Sequence, residues 1–345
     1  MDLLSCDLDS ITNQTAELWQ KVRGRRFFIT GGTGFFGRWI VESFCAANRV
    51  LKLDATAVVL TRRPGVFLNS APHLVADPAI ELVAGDVRDF GFCTGKFDYV
   101  VHAAAEGGVP PLQMLDTMVE GTRHTLEFAS ACGAKGFLLL SSGAVYGTQP
   151  KSIEFLEESF EGGPILSDDN AAYGEGKRMA ELLCHLYSRN SGVDCKIARC
   201  FTFVGAHLPL DSHFAIGNFI GNALRGEPLR IRGDGTPLRS YLYMADAMTW
   251  IWTILFRAPT LRPYNLGSDQ PISIAELAQT VAEVMSPGAE IIVGQRALPS
   301  VPAPRYLPSI RAAREELGLT VSIDLREGIR RTAAWYGQEP AAIKV

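Results

Sequence analysis

Tyr173 and Lys177 stand four residues apart in the segment Tyr173-Gly174-Glu175-Gly176-Lys177. In a helix that spacing puts both side chains on one face, and an ammonium beside a phenol draws the phenol's pKa toward neutrality. A tyrosine so activated exchanges a proton with a substrate hydroxyl. Upstream, an apolar run ends in Ser141-Ser142-Gly143-Ala144-Val145-Tyr146-Gly147, where Ser142 is placed to hydrogen-bond the same oxygen. Taken alone, such a pair is as well read as a packed tyrosine and a solvated lysine. A second motif gives it weight.

Residues 27 to 38 read Phe-Phe-Ile-Thr-Gly-Gly-Thr-Gly-Phe-Phe-Gly-Arg, a buried-strand run that breaks into glycines at 31, 34 and 37 and then opens a helical pattern through Trp39, Ile40, Val41 and Phe44. A strand entering a dinucleotide site must turn sharply (Gly31), let backbone approach a pyrophosphate (Gly34) and pack the next helix closely (Gly37). Free N–H groups at the helix start then face the phosphates. A nicotinamide cation held there adds to the effect of Lys177 on Tyr173, so hydride moves to or from the cofactor while the phenol handles the proton.

The elements that must position these groups alternate as a parallel sheet demands. Strand-like runs fall at 26–30, 57–61, 80–84, 98–102, 136–141 and 195–199, with helical patterns around 36–48, 112–132 and 172–190. The fold class expected is α/β, a Rossmann-type doubly wound parallel sheet with a smaller, interleaved C-terminal substrate lobe. Residues 1–24 read as a helical extension, a packing decoration whose face is Leu8, Ile11, Leu18, Trp19 and Val22. Residues 25–200 read as the dinucleotide-binding domain, with 241–270 returning to it. Residues 201–240 and 271–345, broken by Pro209, Pro228, Pro237, Pro271 and the proline-rich stretch 299–308, form the substrate lobe.

Composition bounds the partners. The 345 residues are 47% hydrophobic and 20% charged with a net charge of -4, enough for a large core and without the massed basic residues that a nucleic acid or anionic membrane requires. No apolar run is long enough to span a bilayer, and the N-terminus, with Asp2, Asp7 and Asp9, does not read as a secretory signal. Seven cysteines show no CxxC pair or metal-ligand spacing, so they read as free thiols of a reducing cytoplasm, and no metal site is expected.

With these motifs in place, the chain resembles the extended short-chain dehydrogenase/reductases, in their sugar-nucleotide NAD(P)-dependent epimerase/dehydratase branch, over roughly residues 25 to 335. The likeness lies in Gly31-Gly32-Thr33-Gly34-Phe35-Phe36-Gly37, in Gly85-Asp86-Val87-Arg88-Asp89, in His102-Ala103-Ala104-Ala105, in the Ser142, Tyr173 and Lys177 set, and in Arg230-Ile231-Arg232-Gly233-Asp234-Gly235-Thr236-Pro237-Leu238-Arg239-Ser240-Tyr241-Leu242-Tyr243-Met244-Ala245-Asp246. The resemblance implies a cofactor bound by Gly31, Gly34, Phe35, Phe36, Gly37, Asp86, Val87, Ala103, Ala104, Ala105, Tyr173 and Lys177. It implies a nucleotide-diphosphate sugar as partner, contacted by Ser142, Thr202, Asn218, Arg239 and Arg305, the two arginines closing on the diphosphate. It also implies a homodimer built on helices 112–131 and 173–190, although Leu112, Leu115, Met118, Val119, Leu126, Met179, Leu182, Leu183, Leu186 and Tyr187 read equally as core faces.

Departures from the pattern narrow the reaction. Family dehydratases and decarboxylases resemble one another in an acidic residue just after the serine or threonine, where Gly143 and Ala144 stand here. Elimination requires a proton donor and a base near C5 and C6, so 4,6-dehydration is disfavoured unless Glu106 or Glu175 lies close. Thr202 and Met118 each replace an asparagine of the pattern. The second strand ends Val58-Val59-Leu60-Thr61-Arg62-Arg63-Pro64, without the carboxylate that binds the adenine ribose of NAD. Arg62 and Arg63, helped by Arg38, suit a 2′-phosphate, so the cofactor is NAD(P) with NADP favoured. The alternative is NAD held by backbone, with both arginines in a solvated loop. The leading expectation is an epimerase-like enzyme moving hydride at a sugar carbon, C4, with Tyr173 as acid/base. A 4-keto-sugar-nucleotide reductase using NADPH stands beside it, and a non-catalytic cofactor-binding subunit is the reading outside enzymes.

Overall fold

A computed structural model describes residues 3–105, 108–212, 214–296 and 303–338. In chain order its first half runs α1 (Leu3–Trp19), β1 (Arg26–Thr30), α2 (Phe35–Leu51), β2 (Thr56–Thr61), α3 (Pro64–Ser70), α4 (Pro72–Val75), β3 (Ile80–Ala84), β4 (Tyr99–His102), α5 (Pro111–Ala131), β5 (Gly136–Ser142), α6 (Ala171–Ser191) and β6 (Cys195–Cys200). The second half runs β7 (Phe203–Val204), α7 (Ala215–Leu224), β8 (Leu229–Ile231), β9 (Leu238–Arg239), β10 (Leu242–Tyr243), α8 (Met244–Arg257), β11 (Pro263–Leu266), β12 (Ile272–Ser273), α9 (Ile274–Met285), β13 (Ile291–Val293), α10 (Arg311–Leu317) and α11 (Leu325–Gln338).

Strands that are for the most part apolar on both faces collect into one seven-stranded parallel sheet, in the order β11-β6-β5-β4-β1-β2-β3. The six runs read from the sequence are the five inner members and the edge strand β3, each within a residue or so of its expected bounds. Direction of winding reverses between β1 and β4, and in such sheets the ligand crevice opens outside the carboxyl ends of the strands at that point. β11 joins the edge beside β6, with Pro263 opposite Ile197 and Leu266 opposite Cys200. A proline is tolerated there because an edge strand leaves one side of its ladder unpaired.

Helices cover both faces. On one side α1, α2 and α8 bury Trp19, Phe27, Phe44 and Trp252, with the Trp19 and Trp252 rings 4.6 Å apart. On the other, α5 and α6 close over Phe28, Phe97, Phe128, Leu139 and Cys184. The later segments add three two-stranded pairings, β7 with β10, β9 with β12 and β8 with β13, beside α7 and α9. The seven cysteines are free, and no helix among the described residues is long and apolar enough to cross a membrane.

The N-terminal helix is not decoration. Its buried face includes Asp7, Thr12 and Thr15 as well as Ile11 and Trp19, while Leu8 and Leu18 are only half-buried. Asp7 accepts the Tyr243 hydroxyl at 2.5 Å and pairs with Arg331 of α11, so α1 ties β10 to the last helix. Burial raises the Asp7 pKa, while Tyr243 and Arg331 oppose that rise. The sequence reading, built on apolar spacing, had no means of finding a polar clasp.

Candidate active site

The glycine turn works as steric necessity. Gly31 sits at φ 70°, in the left-handed region, and a Cβ there would meet the Ala103 carbonyl carbon and the Ala104 nitrogen at 2.5 Å. The strand end after β1 therefore touches the one after β4, at the winding reversal. A Cβ on Gly37 would strike the Gly31 carbonyl oxygen and Gly32, so the first turn of α2 lies against the loop. Gly34 differs, since its nearest protein atom would be 3.6 Å away. Its bareness leaves room toward the cavity rather than toward the fold. Gly34 is the N-cap of α2 and no side chain caps that end, so the first N–H groups of the helix are available to an anion. These features fit a dinucleotide pyrophosphate.

A cavity of about 1190 Å³ opens from this turn. Gly31, Gly34, Phe35, Phe36, Gly37, Arg62, Arg63, Asp86, Val87, Ala103, Ala104 and Ala105 line it, as do Ser142, Tyr173, Thr202 and Arg239. Residues spread over the length of the chain thus meet on one wall. Lys177 lies behind Tyr173, buried, outside the lining.

Ser142 ends β5 and caps the short turn Gly143–Tyr146, its Oγ accepting the Ala144 N–H at 3.1 Å. Tyr173 lies in the first turn of α6 and lines the cavity with Ser142. Its ring keeps an exposed edge toward the cavity. Lys177, one turn on, donates to the Leu140 carbonyl at 2.7 Å, and its burial pulls the ammonium's pKa down to about 8. The expected lysine-driven fall in the Tyr173 pKa is not what this geometry gives. Burial raises the phenol, and the Ser142 hydroxyl is what pulls it down. Cys200, opposite Ser142 in the β5–β6 register, completes the floor, its thiol pushed up by burial to about 12.

A residue that the sequence reading missed stands at the centre. The Tyr306 hydroxyl reaches the turn after Ser142, where a Cβ on Gly143 would lie 2.6 Å from that hydroxyl and 2.7 Å from the Phe201 ring. Gly143 is therefore glycine because two aromatic side chains occupy its side-chain space. Glu175 pairs with Arg178 and does not line the cavity, and Glu106 lies outside the described residues.

Beneath the site runs a polar lattice that was likewise not foreseen. Glu181, four residues after Lys177 on α6, accepts both Ser141 at 2.5 Å and the Arg199 guanidinium at 3.0 and 2.7 Å. Arg199 also donates to the Tyr146 hydroxyl at 2.9 Å, and Tyr146 donates to Asn265 of β11 at 2.7 Å. A bidentate, largely buried pair of this kind fixes geometry as well as charge. It locks α6, which carries Tyr173, to the strand ends that carry Ser142 and Cys200.

At the far end of the cavity Asp86 is gripped by Arg88 through two bonds of 2.8 and 3.1 Å, which hold its carboxyl below the usual range. Arg38 donates to Ser70 at 2.6 Å beside Arg62 and Arg63. At the substrate end, Thr202 donates to the Ser240 carbonyl, and Arg239 lies over the Tyr306 ring at 5.8 Å. Three candidate positions fall away from the cavity. Asn218 gives its side-chain amide to the Ser212 carbonyl at 2.9 Å, Arg305 bridges Leu238 through its backbone, and Met118 is buried against Gly176; none of them lines the cavity. Among the described residues no cluster of His, Cys, Asp or Glu could hold a metal ion.

The sequence model of the NAD dependent epimerase/dehydratase family matches residues 27–267. UDP-glucuronic acid decarboxylase 6 of Arabidopsis thaliana is 31% identical over 312 residues, covering 88% of this chain and 86% of its own length. A double mutant of dTDP-glucose 4,6-dehydratase from Streptomyces venezuelae, solved with NAD bound, is 27% identical with a TM-score of 0.77, over 91% of this chain and 97% of that one. A UDP-glucuronic acid 4-epimerase variant from Bacillus cereus shares the fold at a TM-score of 0.78 and 21% identity, over 91% of this chain and 99% of that one.

Proposed function

From the premise that this chain belongs to the NAD dependent epimerase/dehydratase family, we propose that it is an epimerase-type enzyme that reversibly oxidises one carbon, C4, of a nucleotide-diphosphate sugar. The observation that carries this reading is the junction of Tyr173 and Ser142 on the wall of the cavity that the Gly31 turn opens. The names of the relatives support the substrate class, since they act on UDP-glucuronic acid.

A bound nicotinamide supplies hydride uptake and return. The remaining tasks fall to the chain. Tyr173 Oη takes the proton of the sugar hydroxyl as the carbon is oxidised and returns it afterward. Ser142 Oγ, fixed by the Ala144 N–H, holds the same sugar oxygen. Lys177 keeps a positive charge behind the phenol below about pH 8. Arg239 takes the diphosphate, with a guanidinium that does not titrate. Decarboxylation and dehydration are set aside because neither Gly143 nor Ala144, the residues after Ser142, is acidic, and Phe201 and Tyr306 fill the side-chain space at position 143.

A second reading rests on Arg62, Arg63 and Arg38 at the adenosine end of the cavity, which suit the 2′-phosphate of NADP(H) and hence a 4-ketoreductase. Incubating the protein with a panel of UDP- and dTDP-sugars separates the two. An epimerase converts sugar without added reductant and without net change in nicotinamide absorbance. Stoichiometric NADPH consumption with a 4-keto sugar nucleotide puts the reductase first, and inertness toward every nucleotide sugar overturns both.

A further inference from the structure

Arg239 and Tyr241 reach the cavity wall from a thinly held stretch of backbone. β9 and β10, on either side of Ser240-Tyr241, are two residues each and pair with strands of two residues, ladders too short to fix their own course. The segment that carries Tyr306 supports one end, its Tyr306 N–H bonding the Leu238 carbonyl at 3.2 Å. In the middle, the Thr202 hydroxyl donates to the Ser240 carbonyl and the Leu242 N–H donates to the Thr202 carbonyl. The buried Ser240 hydroxyl has no partner among the described residues. Arg239 donates to the carbonyl of its own neighbour Leu238 at 2.8 Å, so the guanidinium follows the path of its backbone.

A carboxylate holds the far end of this stretch. Tyr243 gives its hydroxyl to Asp7 of α1 at 2.5 Å, while Arg331 of α11 pairs with the other carboxylate oxygen and lies over the Tyr243 ring at 5.8 Å. Trp39 of α2 packs edge-on against that ring at 6.2 Å. Asp7 and Tyr243 are both buried. Taking a charge pair out of water costs about as much as the pairing returns, so a clasp of this kind adds little net stability, and what it fixes is geometry. Asp7 and Arg331 fall outside the residues 27–267 that the family model matches, whereas Tyr243 falls inside them. The clasp ties a segment of the shared fold to helices beyond that span.

We propose that Asp7 is a positioning residue for the substrate end of the cavity: by holding Tyr243 to α1 and α11, it fixes the backbone from Arg239 to Tyr243 and with it the place of Arg239 and Tyr241 on the cavity wall. The inference rests on the reading above in which Arg239 takes the diphosphate. A slack clasp leaves Ser142 and Tyr173 in place, and the Gly31 turn with them, since these are carried by β5, α6 and the end of β1. Arg239 alone is set loose. A diphosphate then meets a guanidinium that has to be ordered at the moment of binding, and that ordering weakens the complex. Loss of the clasp is felt by a nucleoside diphosphate and not by the dinucleotide.

The test uses the full chain, with UDP and dTDP as probes and NAD(H) as the control ligand, well below the unfolding temperature. Tyr243→Phe and Asp7→Ala remove opposite ends of one bond, so either variant that folds decides, and Asp7→Asn retains an oxygen for the Tyr243 hydroxyl. Calorimetric titration should show nucleoside-diphosphate affinity lowered roughly tenfold in the first two, the scale of one charge-assisted bond. Asp7→Asn should restore most of it, and NAD(H) affinity should stay unchanged in all three. Hydrogen exchange should quicken over residues 239–243 and not in β1 or β5. A helix that only adds stability would lower the melting temperature and leave UDP affinity alone; that result, equal losses for UDP and NAD(H), or failure of both variants to fold overturns the proposal. A parent that binds neither UDP nor dTDP strikes the functional reading instead. Exchange over 239–243 then decides the proposal by itself, and no change there overturns it.

Discussion

Lys177 of α6 and Leu140 of β5 are joined by a 2.7 Å bond from ammonium to carbonyl, across the boundary between the helix that carries Tyr173 and the strand that carries Ser142. A carbonyl offsets part of what burial takes from an ammonium, but it brings no counter-charge, and the lysine pKa falls from 10.5 to about 8. The folded chain thus gives up this proton before the unfolded chain does. Between about pH 8 and pH 10.5 the unfolded state binds more protons, so stability attributable to Lys177 rises with pH across that window, by up to about 3 kcal/mol. Urea unfolding of parent and Lys177→Met near pH 7.5 and near pH 10 checks this. The parent should gain on the variant at the higher pH, and a constant difference would show that the ammonium is not strained by burial.

Tyr173→Phe should retain the fold and dinucleotide binding and lower turnover by roughly 100-fold or more, the scale for deleting a general acid/base. The ring stays and the hydroxyl alone is lost. Steady-state kinetics on the substrate found in the nucleotide-sugar panel decide the matter, and parental turnover would remove Tyr173 from the mechanism.

Replacing Arg62 and Arg63 together with alanine should weaken NADP(H) by roughly 1–3 kcal/mol and leave NAD(H) nearly unchanged, as expected when charge-assisted bonds to one phosphate are removed. Fluorescence titration of both dinucleotides against both proteins measures it. Equal losses, or none, would assign the arginines to the loop and the cofactor to NAD.

The apolar stripes of α5 and α6 split between two jobs. Met118, Leu126 and Leu183 are buried, whereas Leu112, Met179, Leu182 and Leu186 stay exposed, Leu112 at 77%. The exposed set on α6 recurs at helical spacing along one face, and we expect it to pair two copies of the chain. Light scattering at micromolar concentration should return a dimer, and Leu182→Glu should return a monomer with cofactor binding intact. A strict monomer in the parent rules out the pairing.

What could be read beforehand followed from local chemistry. Glycines 31, 34 and 37 have distinct steric duties that spacing alone conveys, and the inner strands declare themselves by apolar runs between turns. Tyr306, Cys200 and Asn265 could not be read in that way. Each gains its significance from a partner far along the chain, Ser142, Gly143 or Tyr146, and no periodicity encodes such a meeting. β11 was hidden for another reason, as Pro263-Tyr264-Asn265-Leu266 is too short and too polar to signal a strand outside the sheet that completes it. Asn218, placed by likeness, has its side-chain amide on its own loop, a bond that likeness does not convey. The lysine effect expected on Tyr173 failed because spacing fixes a shared face and leaves open where a long side chain finds its bond.

The segment that carries Tyr306 is stitched at both ends, by Leu238 N–H to Pro304 O at 2.8 Å on one side and by Ser309 N–H to Leu156 O at 2.8 Å on the other, with Leu307 N–H held by Gln149 at 2.9 Å. It therefore works as a ruler. Arg239 stands at one mark and Ser142 at the other, and the span between them is set by backbone rather than by side chains that swing. Under the role proposed for Arg239, a ligand is accepted by its length: a free sugar or a sugar monophosphate can satisfy one mark at a time, and a nucleotide-diphosphate sugar satisfies both. Selectivity of that kind is indifferent to the nucleobase, and it would survive changes in the sugar-facing side chains so long as the strap stays pinned.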